Sequence, residues 1–365
     1  MPFRFHGLSL FLLPALAFAQ PTLPPPPPPQ NVLQGAWDYR LANGQAEQWR
    51  LRNAAGPPDA QARLHFFLAE RDALLSTNNG SLRPADRAEL QDIADGMRSE
   101  APDGFEQHLA AYYLKFPGKA AFHELDAAAA MDPERAELAS PLLTRAQLAG
   151  DVPALGLHAR RLMQQGGVAP ALLTAAADVL LCLPDQAILF TNGDMDGQPL
   201  LVQQFVHGLR PTVLVVDRRL LTQEAYRARV WAQVDARGSA PADGPGFAHA
   251  LLAATDRPIY FALGLDHRWL AAFPDQLQAV GAAFHVAPPS DTDAAQLERD
   301  WANMKKPLDA GPISRNYLLP GSVLLARYRA EGRNVQAQAL AAELRRMAQA
   351  MGALDDLERS GVLTR

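Results

Sequence analysis

Disulfide bonds within the chain are excluded, because the 365 residues include one cysteine, Cys182. That cysteine stands in the apolar run 179–183, where it is expected to be a small core residue. There are only four lysines, and the net charge is −5 with scattered arginines. This charge pattern argues against a nucleic-acid partner, which would require a clustered basic face.

Long hydrophobic runs are also lacking, so no membrane span is expected after the first residues. Residues 1–19 have the pattern of a secretory signal peptide: Arg4, an apolar stretch from Leu8 to Phe18, and small residues at 17 and 19. Cleavage is expected near Ala19. The mature protein is therefore predicted to be exported, periplasmic or secreted.

A proline-rich linker is expected at residues 20–30, where Pro24 to Pro29 are six consecutive prolines. Polyproline is stiff and extended, and it donates no backbone hydrogen bonds. It suits either a ligand for a proline-binding module or a spacer between signal and fold. The sequence favours the spacer.

Residues 31–183 are predicted to form a helical-repeat domain, since segments of good helix formers alternate with Gly, Pro and Asn-Gly breaks. The segments ending at Gly150 and Gly332 are each followed by an Ala/Leu/Arg-rich helix. Both resemble the helix-turn-helix of a tetratricopeptide repeat, with a degenerate period. The segment that ends at Gly332, together with the helix after it, predicts a C-terminal helical hairpin at 313–365.

Between these helical parts, residues 184–312 are expected to form a small α/β domain. Strands are predicted at 187–191, 212–217, 258–263 and 282–287, separated by helical stretches at 199–208, 221–236 with 247–254, and 269–278. Alternation of strands and helices predicts a parallel sheet. The fold class is thus α plus α/β, with TPR-like repeats flanking a small parallel sheet.

Polar residues follow each predicted strand, and the carboxyl edge of a parallel sheet is where α/β folds bind ligands. The candidate ligand-binding residues are Asn192, Asp194, Asp196, Asp217, Arg218, Asp266, His267 and Arg268; Arg219, Ser290, Asp291 and Asp293 occupy similar positions. Asp194 and Asp196 are also candidate metal ligands, because Ca²⁺ and Mg²⁺ prefer oxygen. Otherwise no cofactor is expected. The competing interpretation is that these residues cap helices and form turns.

The segment from Asn192 to Gly197 suggests two known motifs. Its alternation of Asn and Asp before a glycine matches the start of an EF-hand loop, although position twelve of that loop is Gln203 rather than Glu. Asp194-Met195-Asp196-Gly197 resembles the first motif of haloacid-dehalogenase phosphatases. That resemblance implies one aspartate as nucleophile and the other as acid/base.

A third resemblance covers more of the chain. The segment 184–221 is similar to part of the soluble C-terminal region of bacterial multi-pass proteins related to protein O-mannosyltransferases. The matching features are Thr191-Asn192-Gly193-Asp194-x-Asp196, Pro199-Leu200 and Gly208-x-Arg210-Pro211. The resemblance implies helical repeats around an α/β segment and a link to envelope glycans, but no glycosyltransfer, since the multi-pass region is missing.

The sequence thus favours an exported binding or scaffold protein rather than an enzyme. Helical repeats would bind a protein or peptide partner, and the acidic strand-end loop would form a ligand or partner site. One alternative is a metal-dependent hydrolase or phosphoryl-transfer enzyme that uses Asp194 and Asp196, with His267 as acid/base. Another is a carbohydrate-binding module, for which Trp231, Trp269 and Trp301 are the available aromatic residues, although core positions are expected for them.

Overall fold

The computed structural model describes residues 39–56, 59–78 and 82–363. The predicted signal peptide (1–19) and proline-rich linker (20–30) lie outside the described residues. The described chain is mostly helical and carries one small sheet. This confirms the general combination of helices with an α/β unit.

Eight helices precede the sheet in the described part of the chain, where the sequence predicted a helical region. They are α1 Tyr39–Ala55, α2 Ala60–Thr77, α3 Pro84–Glu100, α4 Phe105–Lys115, α5 Lys119–Met131, α6 Ala139–Ala149, α7 Val152–Gln164 and α8 Pro170–Cys182, with a 3₁₀ turn at Ala136–Leu138. Neighbouring helices pack in pairs, α1 on α2, α4 on α5 and α6 on α7. Gly150 ends α6 with a φ of 72°, a left-handed conformation that glycine adopts without strain. The structure does not confirm a regular tetratricopeptide period.

The sheet contains five strands: β1 Ile188–Thr191, β2 Leu214–Asp217, β3 Ile259–Ala262, β4 Leu277–Val280 and β5 Ala283–Val286. Their order is β2-β1-β3-β5-β4. β1 is parallel to β2 and β3, whereas β5 is antiparallel to both β3 and β4. The prediction of a purely parallel sheet was therefore wrong.

The error comes from the stretch 269–278, predicted as one helix. The helix α12 covers only His267–Ala271, and the stretch continues into β4, which forms a tight hairpin with β5. Gly281, with a φ of 55°, lies in the two-residue connection. Such a turn needs positive φ, and the antiparallel pair follows from it.

The remaining helices complete the layers around the sheet. They are α9 Asp194–Phe205, α10 Glu224–Gln233, α11 Pro245–Ala254, α13 Asp291–Asn303, α14 Pro312–Arg315, α15 Leu318–Ala330, α16 Asn334–Ala350 and α17 Leu354–Arg359. The predicted C-terminal hairpin corresponds to α15 and α16, joined through Gly332. It is accompanied by α14 and α17.

Alternate residues of each strand point to opposite faces of the sheet, so the sheet has a core on each side. Phe190 and Phe261 pack with the N-terminal helices on one side, and Leu189 and Tyr260 pack with α6 to α9 on the other. A third apolar cluster joins Cys182 to the C-terminal helices. Apolar packing thus crosses both predicted domain boundaries, at 183 and at 312.

The four candidates for core positions behave as expected. Cys182, Trp231, Trp269 and Trp301 are all buried, each with at most 6% of its surface exposed. Among the described helices, none is long and apolar enough to cross a membrane.

Candidate functional site

The carboxyl ends of β1, β2 and β3 meet at one edge of the sheet, as the sequence predicted. Asn192, directly after β1, connects the three loops that leave this edge. Its side-chain N–H donates to the Gly264 carbonyl (2.6 Å), and its side-chain oxygen accepts from Arg218 Nε (2.7 Å) and the Asp266 backbone N–H (3.1 Å). Arg218 in turn lies 3.3 Å from the Asp266 carboxylate. These contacts link three of the candidate residues, Asn192, Arg218 and Asp266.

The residues after β5 do not reach this edge. Because β5 runs antiparallel to β3, Ser290, Asp291 and Asp293 follow it at the opposite end of the sheet. Ser290 caps α13 by accepting a hydrogen bond from the Asp293 N–H. Asp293 faces His285 at 3.2 Å. Their expected place among the strand-end ligands was wrong for this topological reason.

Asp194 and Asp196 lie in the first turn of α9, not in a loop as predicted. Acidic residues suit this position, since the unpaired N–H groups of a helix start attract negative charge. The turn before them requires glycine: Gly193 has a φ of 108°, and a Cβ there would overlap the Arg219 guanidinium. The glycine therefore allows the arginine to approach the backbone.

The Asp194 carboxylate bridges two arginines from distant parts of the chain. Arg219 Nη2 is 2.8 Å from Oδ1, and Arg71 Nη2, from α2, is 3.1 Å from Oδ2. All three side chains are at most 20% exposed. Burial alone would raise the pKa of Asp194, but the two guanidinium groups lower this pKa to about 2.

Further partners extend this ion-pair cluster. Arg219 also binds Asp217, the last residue of β2, at 2.7 Å, and Arg71 binds its neighbour Asp72 at 3.1 Å. Burial raises the pKa of Asp72 to about 6, although Arg71 opposes the shift. Both guanidinium groups lie over aromatic rings, Arg71 over Tyr113 (4.4 Å) and Arg219 over Phe116 (4.8 Å).

Gln198, one turn further along α9 than Asp194, connects the first turns of α9 to α6. Its side-chain N–H group donates to Ser140 Oγ (2.8 Å) and Thr144 Oγ1 (3.1 Å). Sequence reasoning did not place Arg71, Asp72, Tyr113 or Gln198 in the site. No local pattern could have revealed Arg71, since it lies 123 positions before its partner in an ordinary helical segment.

Asp196 differs from the other carboxylates at this edge. Asp194, Asp217 and Asp266 each contact an arginine, whereas no arginine, lysine or histidine of the described chain forms an ion pair with Asp196. Both of its oxygens lie 3.0 Å from the same donor, the Asn192 backbone N–H. Burial raises the pKa of Asp196 to about 6, and the nearby Asp217 adds to the increase.

Asp196 lines a partly open cavity of about 40 Å³. The cavity lies at the carboxyl end of β3, beside the start of α9, the helix that follows β1. The strand order reverses next to it, because the chain passes from β1 to β2 on one side and returns to β3 on the other. Its polar lining residues are Asp196 and Asn316. The apolar ones come from α8, α9, α14, the end of β3 and the turn between β4 and β5: Leu172, Ala175, Ala176, Val179, Met195, Pro199, Leu200, Ala262, Leu263, Ala282 and Ile313.

Capping explains part of the strand-end pattern, as the competing interpretation expected. The Asp217 side chain accepts from the Arg219 N–H, and Asp266 accepts from the Arg268 N–H at the start of α12. Arg268 is exposed and pairs with Asp266 at 3.1 Å. His267 is exposed and lies outside both the ion-pair cluster and the cavity.

This arrangement does not favour nucleophilic attack or metal binding by Asp194. Both oxygens of Asp194 accept from arginines, which makes it a poor nucleophile and a poor metal ligand. In the part of the chain that the structure describes, no group of three or more His, Cys, Asp or Glu side chains could hold a metal ion. The geometry therefore gives no support to a phosphatase or EF-hand role for Asp194 and Asp196.

No protein-family model, no curated protein and no solved structure matches this chain. The resemblances to tetratricopeptide repeats and to O-mannosyltransferase-related proteins consequently remain predictions from sequence motifs.

Proposed function

We propose that this protein is an exported binding protein whose α/β sheet holds a small molecule in the cavity beside Asp196. The observation that carries the proposal is the position of Asp196, a carboxylate without an ion pair among the described residues, which lines an apolar cavity at the carboxyl end of β3, next to the point of strand-order reversal. Export rests on the predicted signal peptide. N-terminal sequencing of the secreted form should therefore begin near Gln20.

Two general properties of α/β proteins support this location. Ligands of open α/β sheets bind outside the carboxyl ends of the strands, where neighbouring strands connect in opposite directions. Small-molecule sites are mostly apolar, with a few polar groups that fix orientation. The cavity combines both properties, since it lies at the carboxyl end of β3 beside the helix that follows β1, and two polar residues are among those that line it.

The helical part of the chain acts in this proposal as the frame. The Asp194 cluster joins α2 to the edge of the sheet, and Gln198 joins α6 to the same turn of α9. Because these contacts immobilise the first turn of α9, they fix the position of Asp196 two residues later. A preformed site loses less conformational entropy on binding than a flexible one.

The test is to identify what the exported protein carries. Wild-type protein would be recovered from its native compartment, denatured, and its released small molecules identified by mass spectrometry. Ala176→Leu adds three carbons to the wall and should abolish the bound species, whereas Ala228→Leu, on the exposed side of α10, should retain it. Circular dichroism would verify that both variants fold.

A species present in stoichiometric amount in the wild type and the Ala228→Leu variant, and absent from Ala176→Leu, supports the proposal. The same molecules in all three proteins, or none in the wild type, would overturn it. If the helices bind a protein partner and the cavity binds nothing, the released small molecules should be the same for all three proteins.

A further inference from the structure

We propose that the cavity beside Asp196 takes a primary ammonium group on a short aliphatic chain. This inference rests on the binding function proposed above, and it names the chemical class of the ligand. Two features of the cavity carry it: Asp196, which forms no ion pair with another described residue, and the aliphatic character and size of the walls.

The first feature concerns charge balance at the sheet edge. Asp194, Asp217 and Asp266 have arginine partners at 2.7 to 3.3 Å, and these arginines come from within the chain. Asp196 accepts from the Asn192 backbone N–H, which is shared between its two oxygens, and from its own backbone N–H, and Arg219 acts on it only at longer range. Each carboxylate oxygen has two lone pairs, so acceptor capacity of Asp196 is left for a donor from outside.

The second feature concerns the space that remains. A volume of about 40 Å³ accommodates roughly three water-sized or methylene-sized groups. Leu172, Val179, Leu200 and Ile313 line it with aliphatic carbon, which favours methylene groups over water. A chain of about three carbons fills such a space.

Asn316 is the second polar residue that lines the cavity. An ammonium group has three N–H donors and no acceptor, so it can donate to the Asp196 carboxylate and to the Asn316 side-chain oxygen together. A charge-assisted bond to a carboxylate is among the stronger hydrogen bonds available to a small ligand. The alkyl chain then occupies the aliphatic part of the cavity.

Other ligand classes fit less well. Ca²⁺ takes six to eight oxygen ligands and Mg²⁺ six, and the cavity provides two polar side chains. An anion would be repelled by Asp196. Asp217, at the end of β2, would add less repulsion, because Arg219 forms an ion pair with it. A neutral chain would fill the walls but leave the carboxylate without a partner.

The test is an NMR titration of the mature protein with n-propylammonium chloride. Ammonium chloride controls for salt, propan-1-ol for the uncharged chain, and propionate for the opposite charge. Propylammonium is expected to shift amide resonances around the cavity and to bind at least tenfold more tightly than propan-1-ol. Propionate and ammonium alone should shift none of these resonances.

Asp196→Asn removes the charge and keeps an oxygen that can accept the Asn192 N–H. It should weaken propylammonium binding at least tenfold and leave propan-1-ol binding unchanged. Asp243→Asn is the matched control, because Asp243 is exposed in a loop far along the chain, and it should bind as the wild type does.

Equal binding of propylammonium and propan-1-ol, abolished by Ala176→Leu but not by Asp196→Asn, would overturn the ammonium assignment and leave the binding function standing. Absence of any binding to the wild type would also overturn the assignment. The proposed function would then be decided separately by the mass-spectrometric comparison.

Discussion

The ion-pair cluster around Asp194 yields a quantitative prediction about how the helices are attached to the sheet. Asp194→Asn removes the charge that Arg71 and Arg219 share, while each arginine retains one other carboxylate, Asp72 or Asp217. Two charge-assisted hydrogen bonds are weakened, each contributing about 1.5–3 kcal/mol. We expect the free energy of unfolding to fall by about 3 kcal/mol, close to the value for breaking a buried pair.

Arg71→Met should have a smaller effect, about 2 kcal/mol, because Asp194 keeps Arg219 and the methionine retains apolar contact with Tyr113. If the pair acts as a unit, the double variant should lose less than the sum of the two. The coupling free energy should be about 1–2 kcal/mol. Urea unfolding followed by circular dichroism and by tryptophan fluorescence would measure all four proteins.

The matched control is a double-mutant cycle on Arg98 and Asp95, an exposed pair on α3 separated by 3.3 Å. Exposed pairs on one helix contribute roughly 0.3–0.5 kcal/mol. A coupling at Arg71 and Asp194 no larger than in this control would refute the view that the cluster holds α2 against the sheet. The pH adds a second check: since the pKa of Asp194 is lowered to about 2, its stabilisation should be complete above pH 4 and disappear as the pH falls through 2.

Three further predictions concern single positions. Gly193→Ala should lower the free energy of unfolding by about 1–3 kcal/mol, because the position has a positive φ and the added Cβ would overlap the Arg219 guanidinium. The control is Gly246→Ala in α11, where the Cβ meets open space; thermal unfolding should show it to be neutral or stabilising. Asp72→Asn should raise the free energy of unfolding by about 1–3 kcal/mol at pH 7 and leave it unchanged at pH 4. The reason is that the pKa of Asp72 is raised to about 6 in the folded protein, so that its ionisation destabilises the fold as the pH rises from 4 through 6. Urea unfolding at both pH values measures this. Asp178→Ala should lower the free energy of unfolding by about 3 kcal/mol in the same assay, because the buried carboxylate accepts from the Tyr317 hydroxyl and from two backbone N–H groups. An unchanged free energy of unfolding would show that water satisfies these donors in place of the carboxylate.

The sequence by itself determined four of the five strands of the described sheet and the ends of two helix hairpins. Apolar runs located β1, β2, β3 and β5 to within about two residues, because a buried strand must be continuously apolar. Glycines at 150 and 332 marked the helix hairpins, since a left-handed residue ends a helix regardless of the surroundings. Asn192, Asp217 and Asp266 were identified as strand-end polar residues for a similarly local reason.

Only the tertiary structure decided what those residues contact. The direction of β5 depends on a hairpin with β4, a strand hidden in a segment that looked helical, and this direction removed Asp293 from the candidate site. Asp194 and Asp196 have the same residue type and are separated by one position, yet one is neutralised by an arginine 123 residues away and the other lines a cavity. Electrostatic environment depends on distance in space, and a single sequence specifies distance only between near neighbours along the chain.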